Sequence, residues 1–196
     1  MANQTTSNPF ATRHTRPGVI PFLFAPGDGA DAYVARLAAN GWRGQIVGPH
    51  GSGKSTLLAA LRPALVAAGR NLFDIELHDG QRRLGFSLDH IPDLGTSGLV
   101  IVDGYEQLGW LARRRLDHCC RRRGWGMLVT AHAPVGLPLI ARLTPTLEGA
   151  RRVVDSLVGS DGSDVSDADL ARLFTAHNGD IREMLFALYD QHESSV

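Results

Sequence analysis

Residues 48 to 56 read Gly48-Pro49-His50-Gly51-Ser52-Gly53-Lys54-Ser55-Thr56, and Lys54 is the only lysine in a chain with twenty cationic side chains. The other nineteen are arginine. A composition that has otherwise dropped lysine keeps it at one position, so that position has a chemistry an arginine does not satisfy. The glycines supply the reason. In a glycine-rich turn between a strand and a helix, successive backbone N–H groups point inward around a phosphate, and the helix N-terminus adds partial positive charge. A lysine ammonium enters such a cradle as a compact point charge, whereas the planar fork of arginine demands bidentate geometry. The pattern G-x-x-x-x-G-K-[ST] is met by Gly48, Gly53, Lys54 and Ser55, with Gly51 letting the backbone approach more closely still.

The flanks agree with this reading. Gly44 to Val47 is a short buried strand, and Lys54 to Ala68 repeats Leu57, Leu58, Leu61 and Leu65 at helical spacing before Gly69. Upstream, Ala32, Tyr33, Val34, Leu37 and Ala38 fit a short helix stopped by Asn40-Gly41. Residues 19–26, VIPFLFAP, are broken by Pro21 and Pro26 and suit an extended segment lying on the domain. Downstream, Leu72 to His78 alternates as a second strand, Asp79-Gly80 offers a hairpin turn, and Arg82 to Leu88 is its return arm. Leu99 to Asp103, LVIVD, is the kind of apolar run that is buried on both faces. Tyr105 to Arg123 reads as one helix with Leu108, Leu111, Ala112, Leu116 and Cys119 on its apolar stripe. Met127 to Thr130 and Val153 to Leu157 are two further strands. Two helices close the chain, the first capped by Ser166 and stopped by Asn178-Gly179. Strands alternating with helices predict an α/β architecture with a largely parallel, helix-covered sheet.

Length and composition allow one domain with a small appendage. With 43% hydrophobic residues the chain can bury a sizeable core, and its formal net charge of zero provides no global field for nucleic acid or acidic membrane. The adjacent Cys119 and Cys120 are unsuited to a structural disulfide or a zinc site, and His78, His90, His118 and His177 lack convergent partners. No apolar run approaches the roughly 18 residues of a membrane helix, so a soluble, cytoplasmic protein is expected. The organisation expected is an N-terminal arm over 1–18, a core over 19–158, a GSDGSD linker over 159–164 and a small helical unit over 165–196.

The stretch 48–56 resembles the Walker A motif of P-loop NTPases. The resemblance implies a three-layer P-loop fold with a mostly parallel five-stranded sheet and a short C-terminal helical lid, and ATP and Mg²⁺ as cofactors. It places Gly48, Pro49, His50, Gly51, Ser52, Gly53, Lys54, Ser55 and Thr56 around the phosphates, with the Ser55 hydroxyl on Mg²⁺. Asp103, at the end of LVIVD, resembles the Walker B aspartate that holds the metal. In the additional-strand, catalytic-glutamate division a glutamate near that aspartate activates water. Here Gly104 follows Asp103 and the nearest glutamate is Glu106, giving DGYE, similar to the D-G-x-[DE] form of NACHT and related signal-transduction ATPases. Glu106 is then the candidate base and Glu76 a weaker one; the competing reading of Glu106 is a helix-terminus charge. Thr130, with His132 behind it, resembles the sensor-1 site of AAA+ ATPases, and NGDIRE resembles the sensor-2 helix, with Arg182 reaching the nucleotide. About thirty residues remain there, fewer than the usual AAA+ lid.

The function this implies is an ATPase that couples Mg-ATP binding or hydrolysis to a switch acting on a protein partner or on self-assembly, where a neighbour's arginine often completes the site. A small-molecule or nucleotide kinase and a non-hydrolysing ATP-binding regulator are the alternatives. GTP is disfavoured because N-K-x-D cannot occur without a second lysine. The runs Arg113–Arg115 and Arg121–Arg123 read first as a solvated helix face, with a nucleic-acid contact as the less favoured reading. Adenine recognition is assigned to the N-terminal arm or to VIPFLF.

Overall fold

The computed structural model describes residues 21–25, 27–78, 80–158 and 165–194. The expected arm over 1–18, the linker over 159–164 and the turn residue Asp79 lie outside them. The elements are α1 (Ala30–Ala39), β1 (Arg43–Val47), α2 (Lys54–Ala67), β2 (Asn71–Glu76), β3 (Gly98–Asp103), α3 (Trp110–Arg122), β4 (Gly126–Ala131), β5 (Leu139–Arg142), α4 (Leu147–Val158), α5 (Asp167–Ala176) and α6 (Ile181–Ser194). Three short 3₁₀ turns, Leu88–His90, Gly95–Ser97 and Tyr105–Gln107, fill the connections.

The five strands form one sheet in the order β2-β3-β4-β1-β5, and every pairing is parallel. Period-two alternation divides β2, β3 and β4 between two cores. Leu99 and Ile101 of β3 join Leu57, Leu61 and Leu65 of α2 and Leu37 of α1 on one face. Val100 and Val102 join Leu116 and Cys120 of α3 on the other. Burial on both faces explains why β3 reads as a continuous apolar run. Buried Gln45 is the polar exception in β1: its amide bonds Leu137 O and its carbonyl accepts from Val135 N at 2.7 Å, pinning the loop after β4.

Four sequence expectations are corrected here. Val153 to Leu157 is not a strand but part of α4, whose Ala150 and Val154 bury against Leu170, Leu173, Met184 and Leu188 of α5 and α6. The C-terminal unit therefore contains three packed helices. The fifth strand is instead β5, a four-residue segment entering the sheet beside β1. Residues 82–88 form no strand; Leu84, Phe86 and Leu88 fold over the α3-side core, and β2 remains an edge. The helix expected over Tyr105 to Arg123 is broken. Gly104 is left-handed (φ 81°) and Gly109 extended (φ −63°, ψ 155°), so a 3₁₀ turn precedes α3. The break rotates the stripe: Cys120, not Cys119, is fully buried, and Leu111 is exposed. Burial pushes the Cys120 thiol up to about 12, so it packs as a neutral apolar group.

Candidate functional site

The C-terminal ends of β1, β3 and β4 open onto one cleft of about 740 Å³. From β1 the chain enters the glycine-rich loop, where Gly51 (φ 66°) and Gly53 (φ 88°) take left-handed conformations that turn the backbone into α2. Lys54, first residue of that helix, folds its ammonium back onto the loop and donates to Gly48 O at 2.8 Å and Pro49 O at 2.7 Å. Partial burial lowers its pKa, and the nearby carboxylates of Glu106 and Asp103 oppose that shift. The ammonium is thus held in a pocket with two acidic neighbours.

Those neighbours are arranged by hydrogen bonds that tie β3 to β4. Fully buried Thr130 donates its hydroxyl proton to Asp103 Oδ1 at 2.5 Å and accepts from Gly104 N at 2.9 Å. A Cβ on Gly104 would stand 2.8 Å from Leu77 O, so glycine is required twice over, for conformation and for space. The 3₁₀ turn after it carries Glu106. Arg113 clamps that turn, donating to Glu106 O at 2.6 Å and Leu108 O at 2.8 Å. Glu106 Oε1 lies 3.2 Å from His132 Nε2, while its Oε2 is buried with no partner among the described residues.

The C-terminal unit supplies the last wall. Asp180 caps α6, its Oδ1 accepting from the N–H groups of Arg182 (3.0 Å) and Glu183 (3.1 Å). Its Oδ2 meets His50 Nδ1 at 2.7 Å. A Cβ on Gly51 would stand only 1.8 Å from Asp180 Oδ1, so the loop glycine makes room for a lid carboxylate. Burial works against the ionisation of Asp180, but the bonds from His50 and the backbone outweigh it and leave its pKa below the usual carboxylate value.

His50 to Ser55, Asp103, Glu106, Thr130, His132 and Arg182 therefore line one cleft, and Glu76 lines it too. Thr56 faces away, into a second hollow of about 300 Å³ behind Gly51–Gly53, lined by Phe22, Tyr33, Val153, Ile181 and Leu185 among others. Gly48 and Pro49 face the cleft only through the carbonyls that hold Lys54. The arginine runs of α3 stay outside it. Sequence reasoning missed Asp180 as the cap of α6. The signal was present, since an aspartate one residue before an amphipathic run is a helix cap.

Chemically, the donors suit a magnesium-bound nucleotide. The loop offers inward backbone and one ammonium, Ser55 and Asp103 offer hard oxygens, and Ser52 Oγ and Glu106 Oε2 are buried polar atoms without partners among the described residues.

No protein-family model matches the chain, and no curated protein matches it in sequence. Among solved structures it is similar to a Walker-type ATPase of Pyrococcus abyssi, with a TM-score of 0.58, 10% identity, and 89% of this chain and 69% of that one covered. It also overlays on C. elegans PCH-2, with a TM-score of 0.42, 13% identity, and 84% and 67% covered. The parallel five-stranded sheet, its helices on both faces and the likeness to the P. abyssi structure make this a P-loop NTPase fold.

Proposed function

We propose that the protein binds Mg-ATP at the loop 48–56 and hydrolyses it, using the cycle to alter its contacts with a partner. The observation that carries the reading is the convergence of Lys54, Ser55, Asp103, Glu106 and Arg182 on one cleft from three separate parts of the chain. Strand order supports the catalytic-glutamate assignment: β4 lies between the strand that feeds the loop and the strand that ends at Asp103.

Ser55 and Asp103 would hold Mg²⁺, which would supply charge neutralisation at the phosphates. Lys54 is drawn by phosphate oxygens away from the carbonyls of Gly48 and Pro49, exchanging neutral acceptors for charged ones. Thr130 acts by aiming Asp103, because its single hydroxyl proton is committed there. Glu106 Oε2 accepts the proton of the attacking water, while His132 fixes the other oxygen. Arg182, at the start of α6, brings positive charge from the helical unit, and α4 belongs with that unit rather than with the core. The hollow behind Gly51–Gly53, with Phe22 at its rim, is suited to the base.

Phosphate release from Mg-ATP tests this, measured beside Lys54→Ala and Glu106→Gln. Glu106→Gln should keep nucleotide binding and slow release by about 10²- to 10⁴-fold, and Lys54→Ala should lose binding. Release equal to wild type in Glu106→Gln would remove that residue from the mechanism. A kinase is the second reading, because the cleft runs on past the loop to Asp74, Glu76 and His78, room for an acceptor. Phosphoryl transfer to a small hydroxylated acceptor, exceeding transfer to water, would favour it.

A further inference from the structure

Away from the cleft, two hollows of about 890 and 790 Å³ run into one another along the outer side of α3, sharing Leu88, Asp89, Trp110, Leu111 and Arg115. Their floor is unusual for a surface without a partner. Trp110 is 66% exposed and Leu111 60% exposed, side by side at the start of a helix. Around them stand exposed guanidinium groups from two segments some thirty residues apart: Arg82 and Arg83 from the loop after β2, and Arg114, Arg115, Arg121 and Arg122 from α3. Arg114 lies over the Trp110 ring at 5.2 Å, and Arg121 pairs with Asp117, which Arg43 also neutralises. Arg82, Arg83, Arg115 and Arg122 make no side-chain ion pair or hydrogen bond among the described residues. Asp89 and Asp117 are the only carboxylates in the lining.

A solvated helix face explains arginines but not an open indole among them. The charge is local as well: the whole chain sums to zero, so this concentration is not the spill-over of a basic protein. Guanidinium groups that bind phosphate bidentately, flanking an exposed aromatic ring, match what an unpaired polynucleotide presents, a phosphate line with free base faces. A duplex hides those faces in its stack, which leaves Trp110 without a role.

We propose that this face binds single-stranded nucleic acid, with a base stacked on Trp110 and phosphates on Arg82, Arg83, Arg115 and Arg122. The site is separate from the nucleotide cleft and does not rest on ATP hydrolysis.

The test uses the full chain with a twenty-residue oligothymidylate and the matching oligouridylate, followed by label anisotropy and by tryptophan fluorescence across a salt series. Trp110 is the reporter, since Trp125 is buried and Trp42 packs against Arg70. Binding should quench the emission and weaken with salt, each Arg→Ala change lowering the logarithmic slope by about 0.7. Trp110→Ala should weaken binding roughly 5- to 150-fold and Trp110→Phe much less. Lys54→Ala should bind as wild type. Three results overturn the proposal: no binding at low salt, a duplex or polyglutamate binding as tightly as the single strand, or loss of binding in Lys54→Ala, which would put the strand in the cleft. If oligothymidylate fails and Trp110 instead becomes shielded with rising protein concentration, the face is a contact between copies and the proposal falls.

Discussion

Asp180 joins two parts of the chain that lie 130 residues apart, since one of its oxygens caps α6 and the other meets His50 in the glycine-rich loop. Its ionised form is the one that all these donors favour, so the linkage has a definite sign. The stabilisation is complete above the ordinary aspartate pKa of about 3.9 and is lost as pH falls through the lower value of the folded protein. Asp180→Asn should therefore flatten the acid limb of a melting-temperature profile between about pH 5 and pH 2. An unchanged limb would show that the contact carries no weight. The same residue marks the boundary of what sequence made legible at this scale. Lys54 and Ser55 follow from local spacing and Asp103 from a resemblance to a known motif, and all three line one cleft. The His50–Asp180 pair could not be read in this way, because nothing local to either residue encodes a partner across the fold. Thr130 was legible as a strand-end polar group, but the commitment of its proton to Asp103 is a product of the β3–β4 pairing.

Elements whose pattern is set by their own burial were the easiest to read. The β3 run and the leucine repeat of α2 each bury their apolar residues as expected. Elements set by competition were not. Val153 to Leu157 has the composition of a strand, yet its apolar positions continue the stripe of α4, and helical partners downstream decide the outcome. Strand β5 is too short and too closely bracketed by Pro138 and Pro145 to announce itself. Residues 82–88 alternate as a strand should, but Leu84, Phe86 and Leu88 gain more by covering the core under β2 and β3 than by extending the edge. Glycine at the break before α3 is a testable case. Gly104→Ala forces a side chain into left-handed backbone and against Leu77 O, and should cost about 1–3 kcal/mol in chemical denaturation. It should also slow phosphate release, because the turn it opens carries Glu106.

For the whole molecule, the core sheet and the three-helix unit meet at the loop, with the cleft on one side of Gly51–Gly53 and the smaller hollow on the other. A ligand bridging both should hold the two parts together as well as occupy a site. At one hundred times its dissociation constant, Mg-ATP should stabilise the fold by about 2.7 kcal/mol. For a chain of this size that is a rise of roughly 5–11 °C in melting temperature, absent in Lys54→Ala. An equal rise in both proteins would place binding elsewhere. Among the described residues no helix is long and apolar enough to cross a membrane. The solitary lysine carries a practical consequence for following these states in solution. An acylating reagent selective for amines can modify only one side chain in this protein, and burial has already eased that amine toward its reactive neutral form. Mass spectrometry of the peptide containing residue 54 then becomes a single-site footprint, whose protection reports loop occupancy without any mutation or assay of turnover.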